Sequence, residues 1–286
     1  MKYAYIEKES PNHQTKLLCD VLGVSRSGFY DWRDRKPSKR ALENKDLLHK
    51  LKTLHEVHKQ RYGSPRMHAA LEQQGVNVSK GRVERLMRQH QIVSCRTKRH
   101  KRVYIQRQQQ KAADNVLARE FSTEQPNCKW VSDITFIPTR EGYLYLAIVL
   151  DIYSRAIVGW AMSHRINGEL VLNALDMAIK HRGSPKNVLV HSDQGSQYTA
   201  QAYREKLKAH KMTCSMSRKG ACHDNAVVES FFHTLKDELV YEENYTNRQE
   251  AKQSIFKYIE LYYNRQRLHS FLGYEAPLEY ERIHAA

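Results

Sequence analysis

Residue 128 divides the chain into two kinds of hydrophobic pattern, and the second kind limits the fold most. In CKWVSDITFIP, Val131, Asp133 and Thr135 alternate with Ser132, Ile134 and Phe136, which is the period of a strand. YLYLAIVLDIYSR and AIVGWAMSH follow as two more strand-like runs, close enough in sequence for a three-stranded antiparallel meander. The chain then alternates. ELVLNALDMAIKHRG reads as a helix ended by Gly183, NVLVHSD as a buried strand, TAQAYREKLKAHK as a helix and MTCSMS as a fifth strand. HDNAVVESFFHTLKDELV reads as a helix with Val228, Phe232, Leu235 and Leu239 inward, and QEAKQSIFKYIELYYNRQRLHSFLG as a last long helix ended near Gly273. The order βββαβαβα predicts an α/β fold with a mixed five-stranded sheet flanked by helices.

Three acids fall at informative places in that order. Asp133 lies inside the first strand, Asp193 at the end of the fourth, and Glu229 on the following helix, with 35 residues between the last two. A central first strand puts Asp133 beside the carboxyl end of the fourth, where α/β folds place sites. Glu229 reaches them from the helix laid across that end. Singly, each acid reads equally well as a solvated strand residue, a turn cap or a helix surface charge. An Asp inside an apolar strand is costly to bury without a partner, however, and a cation is one. Together the three point to a site for two divalent cations, an arrangement that cuts and joins phosphodiesters. Asn225, His233 and Lys236 share the helix face of Glu229, away from the apolar stripe. Lys236 sits roughly 10 Å from Glu229 along the axis, suited to holding DNA beside the cations rather than ligating them.

The first part of the chain is helical and basic. Residues 12–34 read as two short helices around a glycine turn: Leu17, Leu18, Val21 and Leu22 give apolar spacing, Gly23 the turn, and Ser25 the cap of RSGFYDWR. That helix-turn-helix pattern offers Arg26, Ser27 and Tyr30 to a groove while Phe29 and Trp32 pack inward. An ordinary helical hairpin fits the segment as well. After a hinge at KPSKR, ALENKDLLHKLKTLHEVHKQ places Leu47, Leu51, Leu54 and Val57 at helical spacing. YGSPRMHAALEQQG follows with Ser64 as cap and Pro65 at the first helical position. VSKGRVERLMRQHQ is capped by Ser79, with Val83, Leu86 and Met87 inward and Arg82, Arg85 and Arg88 outward toward phosphates. His55, His58 and His68 read as surface histidines. RTKRHKRVYIQRQQQK lacks apolar periodicity and reads as a basic linker whose Lys98, Arg99, Lys101 and Arg102 can track a nucleic-acid backbone. The boundaries expected are 1–40 and 41–95 for two helical DNA-binding regions, 96–122 for the linker and 123–286 for the α/β core.

The charge agrees with that division. The formal net charge is +16, and nearly all of it falls within residues 1–120. A polyanion-binding front and a near-neutral globular back are the expected consequence. The five cysteines are scattered without a CxxC pair, which argues against a disulfide framework or a zinc site and suits a reducing cytoplasm. The polar start MKYAYIEKES is unlike a signal peptide, and LYLAIVLDIY is too short to span a bilayer, so no membrane partner is expected.

Asp133, Asp193 and Glu229, with Lys236 seven positions on, resemble the DDE signature of transposases and retroviral integrases. The flanks WVSDITFIP, HSDQGSQYT, ACHDNAVVESFFHTLKDEL and YYNRQRLHSFLGYEAP resemble more closely the second-reading-frame product of the insertion-sequence three family of bacterial elements. YGSPRMHAAL and VSKGRVERLM resemble that family's second helix-turn-helix, so the likeness runs through nearly the whole chain. It implies a ribonuclease H-like catalytic core that uses two Mg²⁺ ions, with Mn²⁺ able to substitute, to cleave and transfer strands at an element's ends. It further implies that Lys236 positions the terminal nucleotides. The partners implied are double-stranded DNA, as terminal inverted repeats and target, and further copies of the chain assembled on it. Family members usually act as frameshifted fusions with an upstream helix-turn-helix and leucine zipper. No zipper pattern appears here, so the alternative expectation is a downstream half that is catalytically incomplete or regulatory. A ribonuclease acting on hybrids ranks lower, because its usual site has four acids and only Asp151 and Asp224 are spare nearby.

Overall fold

The computed structural model describes residues 1–95, 113–118, 120–217 and 225–285. Five strands form one sheet: β1 (Lys129–Thr139), β2 (Gly142–Asp151), β3 (Ile157–Ser163), β4 (Leu189–Ser192) and β5 (Thr213–Met216). Their order is β3-β2-β1-β4-β5. The first three strands are the antiparallel meander expected from alternation, whereas β4 and β5 are parallel to β1. β1 pairs with β2 from Trp130 to Thr139 but with β4 only from Lys129 to Val131. From Ser132 outward, therefore, β4 does not cover the edge of β1.

One sheet face buries Trp130, Ala147 and Val149 under α7 (Gly168–His181), the single turn α8 (Ser196–Thr199) and α9 (Gln201–Ala209). α7 approaches so closely that a Cβ on Gly159 would lie 2.2 Å from the Ala174 carbonyl oxygen. The other face buries Val131, Ile137, Leu146 and Ile148 against α10 (Ala226–Glu238) and α11 (Arg248–Phe256). The inward stripe of α10 holds Val228, Phe232 and Leu235 as expected, and adds Phe231 and the fully buried Glu238.

The last helix departs from expectation. α11 runs into a π-helical stretch, Lys257–Tyr263, and ends well before Gly273. Tyr258, Ile259, Tyr262 and Tyr263 of this stretch are all buried. Asn264 then leaves the helix to bond the backbone of edge strand β3, donating from Nδ2 to Ile157 O and accepting from Ile157 N, both at 2.9 Å. Gly273, at φ +63°, ends a short 3-10 turn instead, and a further helix, α12 (Pro277–His284), follows.

The amino-terminal region is three short helices, α1 (Lys2–Glu9), α2 (Thr15–Val21) and α3 (Arg26–Asp34), around Ile6, Cys19 and Phe29. Leu17 and Val21, expected inward, are exposed; Cys19 takes the inward position because α1 packs on that side. Ser25 caps α3, accepting from Gly28 N at 3.0 Å.

Next come α4 (Lys39–Val57), α5 (Ser64–Gln73) and α6 (Lys80–Gln89). Leu47, Leu51 and Leu54 are buried, whereas Val57, at the helix end, is exposed. Gly63 rather than Ser64 precedes the first turn of α5, and Ser79 caps α6. The histidines are not simply on the surface. His55 bonds to Val93 O, His68 bonds to Val78 O, and His58 stacks on Tyr62 with centroids 4.0 Å apart. The α4–α6 core is continuous with that of the sheet. Arg61 donates to Glu238 O, Arg66 to Leu268 O and Tyr62 to Gln266 O, while Tyr62 Oη accepts from Leu268 N. No helix among the described residues is long and apolar enough to cross a membrane.

Candidate active site

The open stretch of β1 is where the acids gather. Asp133 lies two residues past the last β1–β4 pair, and Asp193 follows directly on β4. Glu229 stands in the first turn of α10, which packs across β1. The floor beneath is polar but satisfied. Ser132 donates to Ile148 O at 2.7 Å and meets the Tyr198 hydroxyl at 3.1 Å. His191, on β4, is held by Ser215 and Ser217 at 2.9 and 3.1 Å.

Electrostatics tie the three acids together. Burial pushes the Asp133 carboxyl well above its usual range, and the charges of Asp193 and Glu229 push it further. The Ile134 amide, which donates to Asp133 at 2.7 Å, and the Lys236 ammonium oppose that rise. Asp193 reaches solvent on one side, yet the protein around it still raises it, against a hydrogen bond from Gly195 N at 2.9 Å. Gly195 matters sterically as well: a Cβ there would meet Asp193 Oδ1 at 2.9 Å and close the space around the carboxylate.

An all-oxygen donor set of three carboxylates, one kept clear by a glycine, suits a hard divalent cation. As the side chains stand, no three His, Cys, Asp or Glu among the described residues are close enough to grip one ion.

The other expected contacts divide. Lys236 places its ammonium 4.4 Å from the Phe136 ring centroid, and its charge acts on Asp133. Arg26 is exposed at the start of α3, and Arg85 and Arg88 are exposed on α6. Arg82 turns to α4, donating to Asn44 at 2.8 Å and Glu43 at 3.1 Å. Lys98, Arg99, Lys101 and Arg102 lie outside the described residues, as does Asp224. Asp151 is fully buried and accepts from Asn127 N, Trp130 Nε1 and Tyr153 N, which makes it a cap for the loop after β2. Sequence reasoning missed Gly195 and His191, although HSDQGS brackets Asp193 with both, and it missed Glu238 entirely.

A mixed five-stranded sheet with Asp133 on its central strand and Asp193 just past the neighbouring one, preceded by a helical region, defines a class that the family comparisons name. An integrase core domain model matches residues 123–222, a second model of the same description matches 210–277, and an HTH-like domain model matches 41–101. The fold is thus a ribonuclease H-like integrase core behind helix-turn-helix-like helices. The chain is 39% identical to the transposase InsF for insertion sequence IS3A of Escherichia coli (strain K12), over 100% of both chains. It is 40% identical to the insertion element IS600 uncharacterized 31 kDa protein of Shigella sonnei, over 93% of this chain and 98% of that one. Among solved structures, the HTLV-2 integrase catalytic core domain in complex with magnesium aligns with a TM-score of 0.42 and 16% identity, covering 56% of this chain and 97% of that one. The chain belongs to the InsF transposase family of insertion sequence IS3.

Proposed function

We propose that Asp133, Asp193 and Glu229 are the catalytic acids of this transposase and hold two Mg²⁺ ions, with Mn²⁺ able to replace them. The observation that supports this reading is that three acids from separate elements stand where β4 stops pairing with β1: Asp133 on β1, Asp193 just past β4 and Glu229 in the first turn of α10. Divalent cations held by Asp133, Asp193 and Glu229 would supply the activation of a water or 3′-hydroxyl and the charge neutralisation that phosphodiester cleavage needs. The chain does the rest. The edge of β1 that β4 leaves unpaired is where a phosphodiester would lie, Gly195 leaves room beside Asp193, and Lys236 attracts a backbone phosphate next to the acids. Arg26, Arg85 and Arg88, with Lys98, Arg99, Lys101 and Arg102, hold the duplex by its phosphates. Residues 1–40 and 41–95 serve as the DNA-binding regions, 96–122 as the linker and 123–286 as the core.

The substrates are the terminal inverted repeats of a bacterial insertion sequence and a target duplex, bound by more than one copy of the chain in the bacterial cytoplasm. An upstream-frame product, separate or fused, is a further candidate partner. A strand-joining assay tests the reading, using purified chain, a labelled terminal-repeat duplex and Mg²⁺, with Asp193→Asn alongside. Metal-dependent joined product that is absent in the variant is the expected result. Tight end binding without cleavage would make the chain the DNA-binding half of a fusion.

A further inference from the structure

The hairpin of β1 and β2 carries aromatic side chains that the core does not use. Phe136 is 51% exposed and Tyr143 52%, although both belong to regular strands. Their rings meet edge to face with centroids 5.1 Å apart, and Tyr145 stands behind Tyr143 at 6.4 Å. Phe136 pairs with Tyr145 across the ladder and Tyr143 is two residues from Tyr145, so all three share one face.

The backbone beneath them is pinned. Arg248 donates to Tyr143 O at 3.1 Å and to Glu141 O at 2.6 Å, and Arg140 N donates to Tyr245 O at 3.1 Å. Aromatic rings held half in water on an anchored hairpin form a preorganised contact surface.

Position indicates what it contacts. Phe136 is three residues from Asp133 on the same strand, roughly 10 Å away. Alternation sends the two side chains to opposite faces, but β4 does not pair with this edge of β1. The ammonium of Lys236, on the helix that carries Glu229, lies 4.4 Å from the Phe136 centroid. An aromatic surface with an adjacent cation matches a nucleotide, a π face joined to a phosphate. A base still paired in a duplex has its faces covered by its neighbours, so the base must be unpaired.

We propose that Phe136 and Tyr143, flanked by Lys236, form a stacking site for one unpaired nucleobase of the DNA strand whose phosphodiester lies at the three acids. The proposal rests on the catalytic reading above for the position of that strand. Its role is to hold the frayed end of the strand, so that the phosphodiester stays in place while the terminal pair is open.

The test separates the site from catalysis by omitting divalent cations. The probe is a duplex with a short single-stranded overhang carrying 2-aminopurine, compared with the fully paired duplex. Wild-type chain is expected to prefer the overhang about ten-fold and to quench its fluorescence by stacking. The double variant Phe136→Ala with Tyr143→Ala should lose preference and quenching while holding the paired duplex as before, and Phe136→Trp should keep both. If the double variant fails to fold, Phe136→Leu with Tyr143→Leu keeps the apolar bulk without the rings and should likewise lose quenching. Unchanged preference and quenching in the ring-less chain would overturn the proposal. So would a loss of self-association, seen by sedimentation, with base contact intact, since the surface would then bind a second copy. Quenching without strand joining leaves this site standing and sinks the catalytic reading; joining without quenching does the reverse.

Discussion

Arg267 lies against Glu238 with Nη2 2.7 Å from Oε1, and both side chains are almost wholly out of solvent. Glu238 is the last residue of α10, so this pair anchors the helix whose first turn carries Glu229. Tyr258 donates to the same carboxylate at 2.9 Å, and Arg66 of the helical domain lies 3.8 Å from it. Burial alone would push Glu238 up, but the charge and hydrogen bonds of Arg267, helped by Arg66 and Tyr258, outweigh it and hold the carboxyl below its usual range.

Replacing Glu238 by Gln leaves Arg267 charged and unmatched inside the protein. The expected loss is about 3–5 kcal/mol, read by urea unfolding at pH 7. The sign of the pH dependence follows from the depressed carboxyl. Its contribution is complete above the ordinary value of 4.5 and is lost as pH falls through the lower folded value. Wild type should therefore lose stability in that acid window, and the gap between wild type and Glu238→Gln should narrow there. A gap independent of pH would show that the carboxylate charge contributes nothing.

Asp133 behaves oppositely. Its folded pKa is raised, so its ionised form penalises the fold as pH climbs through that value. Asp133→Asn should therefore raise metal-free stability at pH 7, measured by calorimetry. The same variant should lose strand joining by a factor on the order of 10³ or greater. A destabilised Asn variant would mean that the carboxylate is structurally satisfied.

Divalent cations should stabilise the wild-type chain by drawing repelling carboxylates together. Mg²⁺ or Mn²⁺ well above its Kd is expected to raise Tm by a few degrees. Asp133→Asn and Asp193→Asn should flatten that response, and an equal response in both variants would place the cation elsewhere.

The arginines of α6 should separate by function. Arg85→Ala and Arg88→Ala should each lower the salt slope of DNA binding by about one unit and leave stability almost unchanged. Arg82→Ala breaks the contact with Glu43 and Asn44, so its effect should appear in Tm instead. A salt slope lowered by Arg82→Ala without loss of Tm would make Arg82 a phosphate contact too.

Gly159→Ala should destabilise the core by about 1–3 kcal/mol or prevent folding, because α7 backbone occupies the space of the new methyl group. Thermal unfolding of the variant checks this, and a neutral result would show that α7 can shift at little cost.

Alternation and helical spacing made β1 to β5 legible in the sequence, and they put Asp133 and Asp193 on neighbouring strands. Regular periods report local geometry, and the sheet is regular. The misreadings occur where local pattern yields to distant partners. Leu17 and Val21 gave a plausible stripe, but the packing of α1 decides which side of α2 is buried. The tyrosines at 262 and 263 continue a helical rhythm that a π turn and Asn264 interrupt for the benefit of β3. Nothing in the run KDEL sets Glu238 apart from its polar neighbours. Its partners, Arg267 and Arg66, are far away in the chain, and no short window contains the pair.

The clasp between Tyr62, Arg66 and the segment around Leu268 gives the family boundaries a different meaning. Homology divides this chain into modules, whereas stability does not. A core cut free at residue 123 would expose tyrosines and a charged pair that the helical region now covers. Shuffling such a core onto a foreign DNA-binding head would require the recipient to bring its own YGSPR-like latch.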